Sequence, residues 1–197
     1  FCVARQAHGV IGADPDAKLF VRFGDFFPDT WLAANPEHVQ TGRDGIKIRQ
    51  PSFASGKALQ DLCLFIEKLI GYCKAQDWGD RILGYLYYPV GEGICWMNSC
   101  GHYFDQCEVM QETFRKWVAA RYETQEQLRQ AWRDEHVTFD NVRVPTDREW
   151  MEERQRTENF VGAEELQKYR DYAYMMRELY LSWYRQVIRA FRSAMGS

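Results

Sequence analysis

Two short apolar runs flank one long helical pattern, and that order constrains the 197-residue chain more than any other feature. Lys18-Leu19-Phe20-Val21-Arg22-Phe23 is β-branched and aromatic, which predicts a strand. From Ser55 to Gln76, Leu59, Leu62, Cys63, Ile66, Leu69, Ile70 and Cys73 recur at spacings of three and four. That is the apolar stripe of a helix, with Ser55 or Gly56 as its cap. Gly79-Asp80 breaks the pattern, and Ile82 to Val90 predicts a second strand, apolar on both faces as a strand covered on both sides would be. Strand, helix and strand in this order form a βαβ unit, whose strands pair in parallel through a right-handed crossover. Two strands make no sheet with two covered faces, so further strands are expected outside the sequence.

Helical patterns fill most of the remainder. Phe1 to Gly12 reads as the tail of a helix followed by a turn, and Pro28-Asp29 marks a loop or short helix start. Thr41 to Phe53, with Gly42, Gly45 and Pro51, reads as an irregular excursion. Glu108 to Arg121 is helical, with Met110, Phe114, Trp117 and Val118 on one side. Thr124-Gln125-Glu126-Gln127 matches a capping box and starts a helix running to Arg133. After a polar connection over 134–147, a short helix starts near Thr146. Ala163 to Ala194 is one long pattern carried by Leu166, Tyr169, Ala173, Met176, Tyr180, Trp183, Val187, Ala190 and Phe191. The length suits one domain, and no internal repeat is visible.

Composition removes several classes of function. Net charge is −3, and no Lys/Arg run is long enough to neutralise a phosphate track, so nucleic acid is not an expected partner. No apolar window reaches the length that crosses a bilayer. The six cysteines are spread through a chain too large to need disulfide staples, and Cys63 and Cys73 read as small buried hydrophobes. This usage points to a reducing compartment, the cytoplasm by default.

The second strand runs into Gly91-Glu92-Gly93. A carboxylate at the C-terminal end of a parallel strand sits where (β/α)₈ barrels place reactive side chains. Flanking glycines let a ligand approach closely. Shielding by Tyr85, Tyr87, Tyr88 and Trp96 would desolvate Glu92 and raise its pKa, which suits a general acid. A solvated glutamate in a glycine turn is the plain alternative.

Several phrases resemble the family 42 glycoside hydrolases, β-galactosidase-type barrels of the retaining-glycosidase clan. They are Phe26-Phe27-Pro28-Asp29-Thr30-Trp31-Leu32-Ala33-Ala34-Asn35-Pro36-Glu37, Arg81 to Tyr85, Phe114 to Tyr122, Leu128-Arg129-Gln130-Ala131-Trp132 and Thr138 to Pro145. The similarity covers roughly residues 18 to 195. It implies a helix-rich α/β fold forming a portion of a TIM barrel, about strands 3 and 4 with their helices. Residues 1–197 would be one partial catalytic-barrel domain, with the remaining strands elsewhere. It also implies a retaining hydrolase acting on β-glycosides, with Glu92 as acid/base, a carbohydrate substrate and a homotrimeric assembly. The family's strand usually ends Asn-Glu, whereas this chain has Gly91-Glu92. The missing Asn would hydrogen-bond the sugar 2-hydroxyl. The nucleophile, at the end of the seventh strand, has no counterpart in this chain. Two other readings therefore stand beside the hydrolase: a non-catalytic carbohydrate-binding or degenerate barrel, and an α-rich interaction protein using the Tyr-rich last helix.

Arg22, near the end of the first strand, could fork onto sugar hydroxyls or a carboxylate, or pair with Asp25. Trp31, Tyr87, Trp96 and Tyr103 are candidates to contact sugar rings; buried aromatic packing is the competing role. Some members of the family hold structural zinc near the positions of Cys95, Cys100, His102 and Cys107. The ligand types suit zinc, but the spacing is not a paired C-x₂-C knuckle, so no metal or cofactor is expected. His8, His38 and His136 read as isolated.

Overall fold

A computed structural model describes residues 2–24, 27–88, 103–156 and 166–196. In chain order the elements are α1 (Cys2–Ala13), β1 (Leu19–Phe23), α2 (Asp29–Ala34), β2 (Val39–Thr41), β3 (Lys47–Pro51), α3 (Gly56–Lys74), β4 (Ile82–Tyr87), α4 (Glu108–Arg121), α5 (Gln125–Trp132), α6 (Asp147–Arg156) and α7 (Gln167–Met195). None of these helices is long and apolar enough to cross a membrane. Contacts divide the chain into two compact units: Phe1–Phe26 with Leu59–Cys95 and Tyr184–Ser197, and Phe27–Ala58 with Trp96–Trp183.

The first unit contains the βαβ arrangement. β1 and β4 pair in parallel, with Val21 opposite Tyr85, Arg22 opposite Leu86 and Phe23 opposite Tyr87. Alternation puts Val21, Phe23, Tyr85 and Tyr87 on one face. There Ala7, Val21, Leu69, Cys73 and Trp78 form a buried cluster with Phe23 and Tyr85 packed against it. Phe23 also meets Phe191 of α7 at 5.2 Å between ring centroids. Cys73 and the hydroxyl of Tyr85 share a hydrogen bond in this cluster, and burial pushes the Tyr85 pKa up to about 12. The opposite face carries Phe20, Arg22, Gly84 and Leu86. The Phe20 ring lies over Gly84, where a Cβ would come within 3.1 Å of it.

That second face corrects one expectation. A strand covered on both sides was predicted for Ile82 to Val90, but on this face Leu86 is 51% exposed and Phe20 67%. The pairing explains it: among the described residues the sheet has two strands, and helices cover one side.

In the second unit, α4, α5 and the first part of α7 enclose Met110, Phe114, Val118, Leu128 and Met175, all without solvent exposure. The stretch expected to be irregular, 41–53, instead contains β3 and the last residue of β2, which pair antiparallel. Its turn uses the left-handed backbone of Asp44 (φ 57°) and Gly45 (φ 77°), closed by the Gly42 N–H donating to the Ile46 carbonyl at 2.8 Å. Two further expectations change on packing grounds. Cys63 is half-buried, because the buried stripe of α3 runs through Leu62, Ile66, Leu69 and Ile70, and Ala173 is exposed, because that of α7 runs through Tyr172 and Met175 beside Tyr169 and Met176. The long α7 pattern is otherwise observed over Gln167–Met195, and residues 163–165 lie outside the described residues.

Candidate functional site

The strand-end carboxylate Glu92 lies outside the described residues, as do Trp96, Cys95, Cys100 and His102. Both ends of the connection that carries them are described.

At the departing end, the parallel ladder continues past β4: the Tyr88 N–H donates to the Phe23 carbonyl at 2.7 Å. Tyr88 therefore falls on the face of Gly84 and Leu86, and the Arg22 guanidinium lies 4.2 Å from its ring centroid. Such a cation–π contact contributes about 0.5–1 kcal/mol at an exposed site. Tyr87 takes the other face. It is half-buried, with its ring 5.7 Å from both Phe23 and Tyr184. So the structure brings Arg22 together with Tyr88 at the C-terminal ends of both strands, and Tyr87 into the helix-covered side. Tyr88 was not singled out as a binding residue from sequence. Its signal was the two-residue alternation of a strand, which sets it on the same face as Arg22 once the register is known.

At the returning end the backbone is fixed within the second unit. The Tyr103 N–H donates to Asp147 Oδ1 at 2.6 Å, and Tyr103 itself is half-buried. Asp105, 9% exposed, accepts from the Thr41 N–H at 3.0 Å and the Cys107 N–H at 3.1 Å. Its own N–H donates to the Tyr172 hydroxyl at 3.0 Å. The Gln106 N–H donates to the Thr41 carbonyl at 2.7 Å, extending the edge of β2. Cys107 Sγ donates to Asp105 Oδ2 at 3.4 Å. Burial, and then the Asp105 charge, push the Cys107 thiol up to about 12, so it stays protonated and is a poor metal ligand or nucleophile as it stands. Thus a buried carboxylate that sequence reading passed over anchors the segment that starts at Tyr103.

Trp31 belongs to this unit as well. It stands on α2 against Phe27, 4.6 Å between centroids, with Lys57 Nζ 5.9 Å from its ring. His38 is not isolated: its Nδ1 is 3.0 Å from Ser55 Oγ, and its Nε2 is 3.3 Å from Glu37 Oε1. Ser55 Oγ also accepts from the Ala58 N–H at 3.0 Å, so Ser55 is the cap of α3. Ser55 is 1% exposed, which makes this chain of bonds structural.

Comparison with solved structures follows the same architecture. A β-galactosidase from the haloarchaeon Halorubrum lacusprofundi superposes with TM-score 0.65 at 15% identity, over 97% of this chain and 27% of its own. A catalytic mutant of a GH42 β-galactosidase from G. stearothermophilus gives 0.58 at 15%, over 90% and 24%. The catalytic domain of a β-amylase from Paenibacillus polymyxa gives 0.65 at 14%, over 100% and 52%. The fold is a portion of a TIM barrel. The chain spans about a quarter of the length of those β-galactosidases. No protein-family model matches it, and no curated protein does. At these identities the likeness concerns fold.

Proposed function

We propose that the chain is one partial catalytic-barrel domain of a retaining glycoside hydrolase acting on β-glycosides. β1 and β4 serve as adjacent barrel strands, and Glu92 is the general acid/base. The observation that supports this best is the parallel β1–β4 pair with helices on one side and an exposed, partly apolar face on the other. A barrel strand has this pattern when its inward face awaits the side chains of other strands. Glu92 follows β4 by five residues, beyond its C-terminal end, the side on which barrel enzymes collect their chemistry.

Glu92 would protonate the leaving glycosidic oxygen and then activate water. A second carboxylate, about 5–5.5 Å away, would attack the anomeric carbon. That nucleophile would come from sequence outside this chain, which would complete the barrel. Arg22, Trp31, Trp96 and Tyr103 are the proposed sugar-contacting residues. Tyr88 is proposed in preference to Tyr87, because it shares the face of Arg22. The Gly91 that stands where the family has Asn supports a second reading, a barrel that binds carbohydrate without cleaving it.

The two separate kinetically in the complete protein. Glu92→Gln should lose most turnover on unactivated β-glycosides, with azide partly restoring cleavage of activated ones. Unchanged turnover removes Glu92 from the acid/base role. Tight sugar binding with no cleavage by the unaltered protein supports the binding barrel.

A further inference from the structure

The first unit has a hollow of about 300 Å³ beside β1. All five residues of that strand line it, with Val3, Gln6 and Val10 of α1, Leu69 of α3, and Trp78. No described residue of β4 does, so the hollow lies along the edge of β1 that β4 leaves free. We infer that in the complete protein this hollow seats one further strand, parallel to β1, which brings a hydrogen-bond acceptor to Trp78 Nε1.

The edge itself supplies the first reason. Among the described residues β1 pairs with β4 alone. An open edge presents a row of backbone donors and acceptors ready for another strand. The hollow beside it is mainly apolar, and Val10, one of its walls, is 47% exposed. Covering such side chains favours an occupant with an apolar face.

A buried donor supplies the second. Trp78 is 1% exposed, and its Nε1 has no hydrogen-bond partner. An indole N–H shut away from water without an acceptor is costly and uncommon. Trp78 lines the hollow, so an occupant there is placed to accept from it.

Connectivity supplies the third, and it selects a parallel strand over other occupants. α1 leads into β1 on the side of the sheet where α3 lies: Ala7 of α1 shares the buried cluster of Val21 with Leu69 and Cys73 of α3. Crossovers between parallel strands are right-handed, so successive units with helices on one side advance in one direction across a sheet. The unit β1–α3–β4 places β4 on one edge of β1. A strand entering α1 therefore falls on the opposite edge, which is the edge the hollow lines. The similar β-galactosidase and β-amylase chains extend beyond the matched portion, as a barrel with further strands does. Such a strand follows from the chain being one part of a barrel and requires nothing of Glu92.

Thiol labelling of the complete protein, read peptide by peptide by mass spectrometry, tests the proposal. Val10→Cys, in the hollow, should react about tenfold or more slowly than Arg5→Cys, an exposed α1 position outside it. Equal rates at low protein concentration overturn the proposal. Protection of Val10→Cys that appears only as concentration rises assigns the hollow to a second copy of the chain, and also overturns it. The ultraviolet resonance Raman difference between the unaltered protein and Trp78→Phe should carry the signature of a hydrogen-bonded indole N–H. A signature of a free indole N–H removes the acceptor. Neither readout involves turnover. Cleavage that depends on Glu92 with an open hollow rejects the strand alone, and a protected hollow with turnover unchanged in Glu92→Gln rejects the acid/base role alone.

Discussion

Asp171 shows how much one buried charge organises. It accepts from the Tyr122 hydroxyl at 2.6 Å, from Gln167 Nε2 at 2.8 Å and from Trp132 Nε1 at 2.8 Å, and it pairs with Arg121 Nε at 3.3 Å. Removing it strands several donors in the interior of the second unit, so Asp171→Ala should cost about 3 kcal/mol, read as a loss of Tm or of the urea midpoint. Burial, together with the bond to Asp171, pushes the Tyr122 pKa up to about 12. Glu149 offers a pH-dependent counterpart. Its partial burial alone would raise its pKa, but Arg143 at 2.7 and 2.9 Å and Thr146 Oγ1 at 2.8 Å outweigh that and hold it at about 2. A carboxylate with a depressed folded pKa stabilises above its unfolded pKa, and the contribution fades as pH falls toward the folded value. The Tm of the unaltered protein should therefore drop between about pH 4.5 and pH 2, and Glu149→Gln should flatten that part of the profile. An unchanged acid limb in the variant would show that Glu149 is not the group responsible.

Elements follow local signals where those are strong. Thr124 accepts from the Gln127 N–H at 3.2 Å, as the capping-box spacing predicts, and Gln127 Oε1 reaches back to the Glu123 N–H at 2.9 Å. Thr124→Ala should cost about 1 kcal/mol, measured by chemical denaturation. The break after α3 is equally local in origin. A Cβ at Gly79 would meet the Lys74 carbonyl oxygen at 2.8 Å and that of Cys73 at 2.9 Å. Those are backbone atoms at a helix end, with little room to yield. Gly79→Ala should thus destabilise by about 1–3 kcal/mol, where an unstrained position would have gained stability. The β2–β3 hairpin was missed from sequence because its strands are short and its turn is held by Asp44 in a left-handed conformation, a feature without a clear local signature. Partners distant in sequence, Thr41 with Asp105 and Gln106, complete it.

On the scale of the whole chain, the asymmetry between the two faces of β1–β4 makes a direct prediction. Phe20→Lys, on the exposed face, should change stability by less than about 0.5 kcal/mol while lowering dye binding and self-association. Val21→Lys, 5% exposed in the cluster with Trp78, should unfold the first unit. Equal tolerance at both positions would mean that the helices do not cover that face. The barrel portion was legible because its signals are long: a 19-residue helix with one apolar stripe and two flanking strands. The candidate site was legible in part. Arg22 could be placed near a strand end from the chain alone, but its partner Tyr88 needed the register of a strand more than 60 residues away.

Periodicity, capping residues and the strand–helix–strand order belong to neighbours within a few residues, and those the amino-acid sequence determined unaided: α3, α4, α5, α7 and a parallel pairing of β1 with β4. Which side of each strand meets helices and which carboxylates are buried were decided by tertiary structure. The reason is physical. Burial and electrostatic pairing depend on distances between residues far apart in the chain, as when Asp171 accepts hydrogen bonds from residues 39 and 49 positions away.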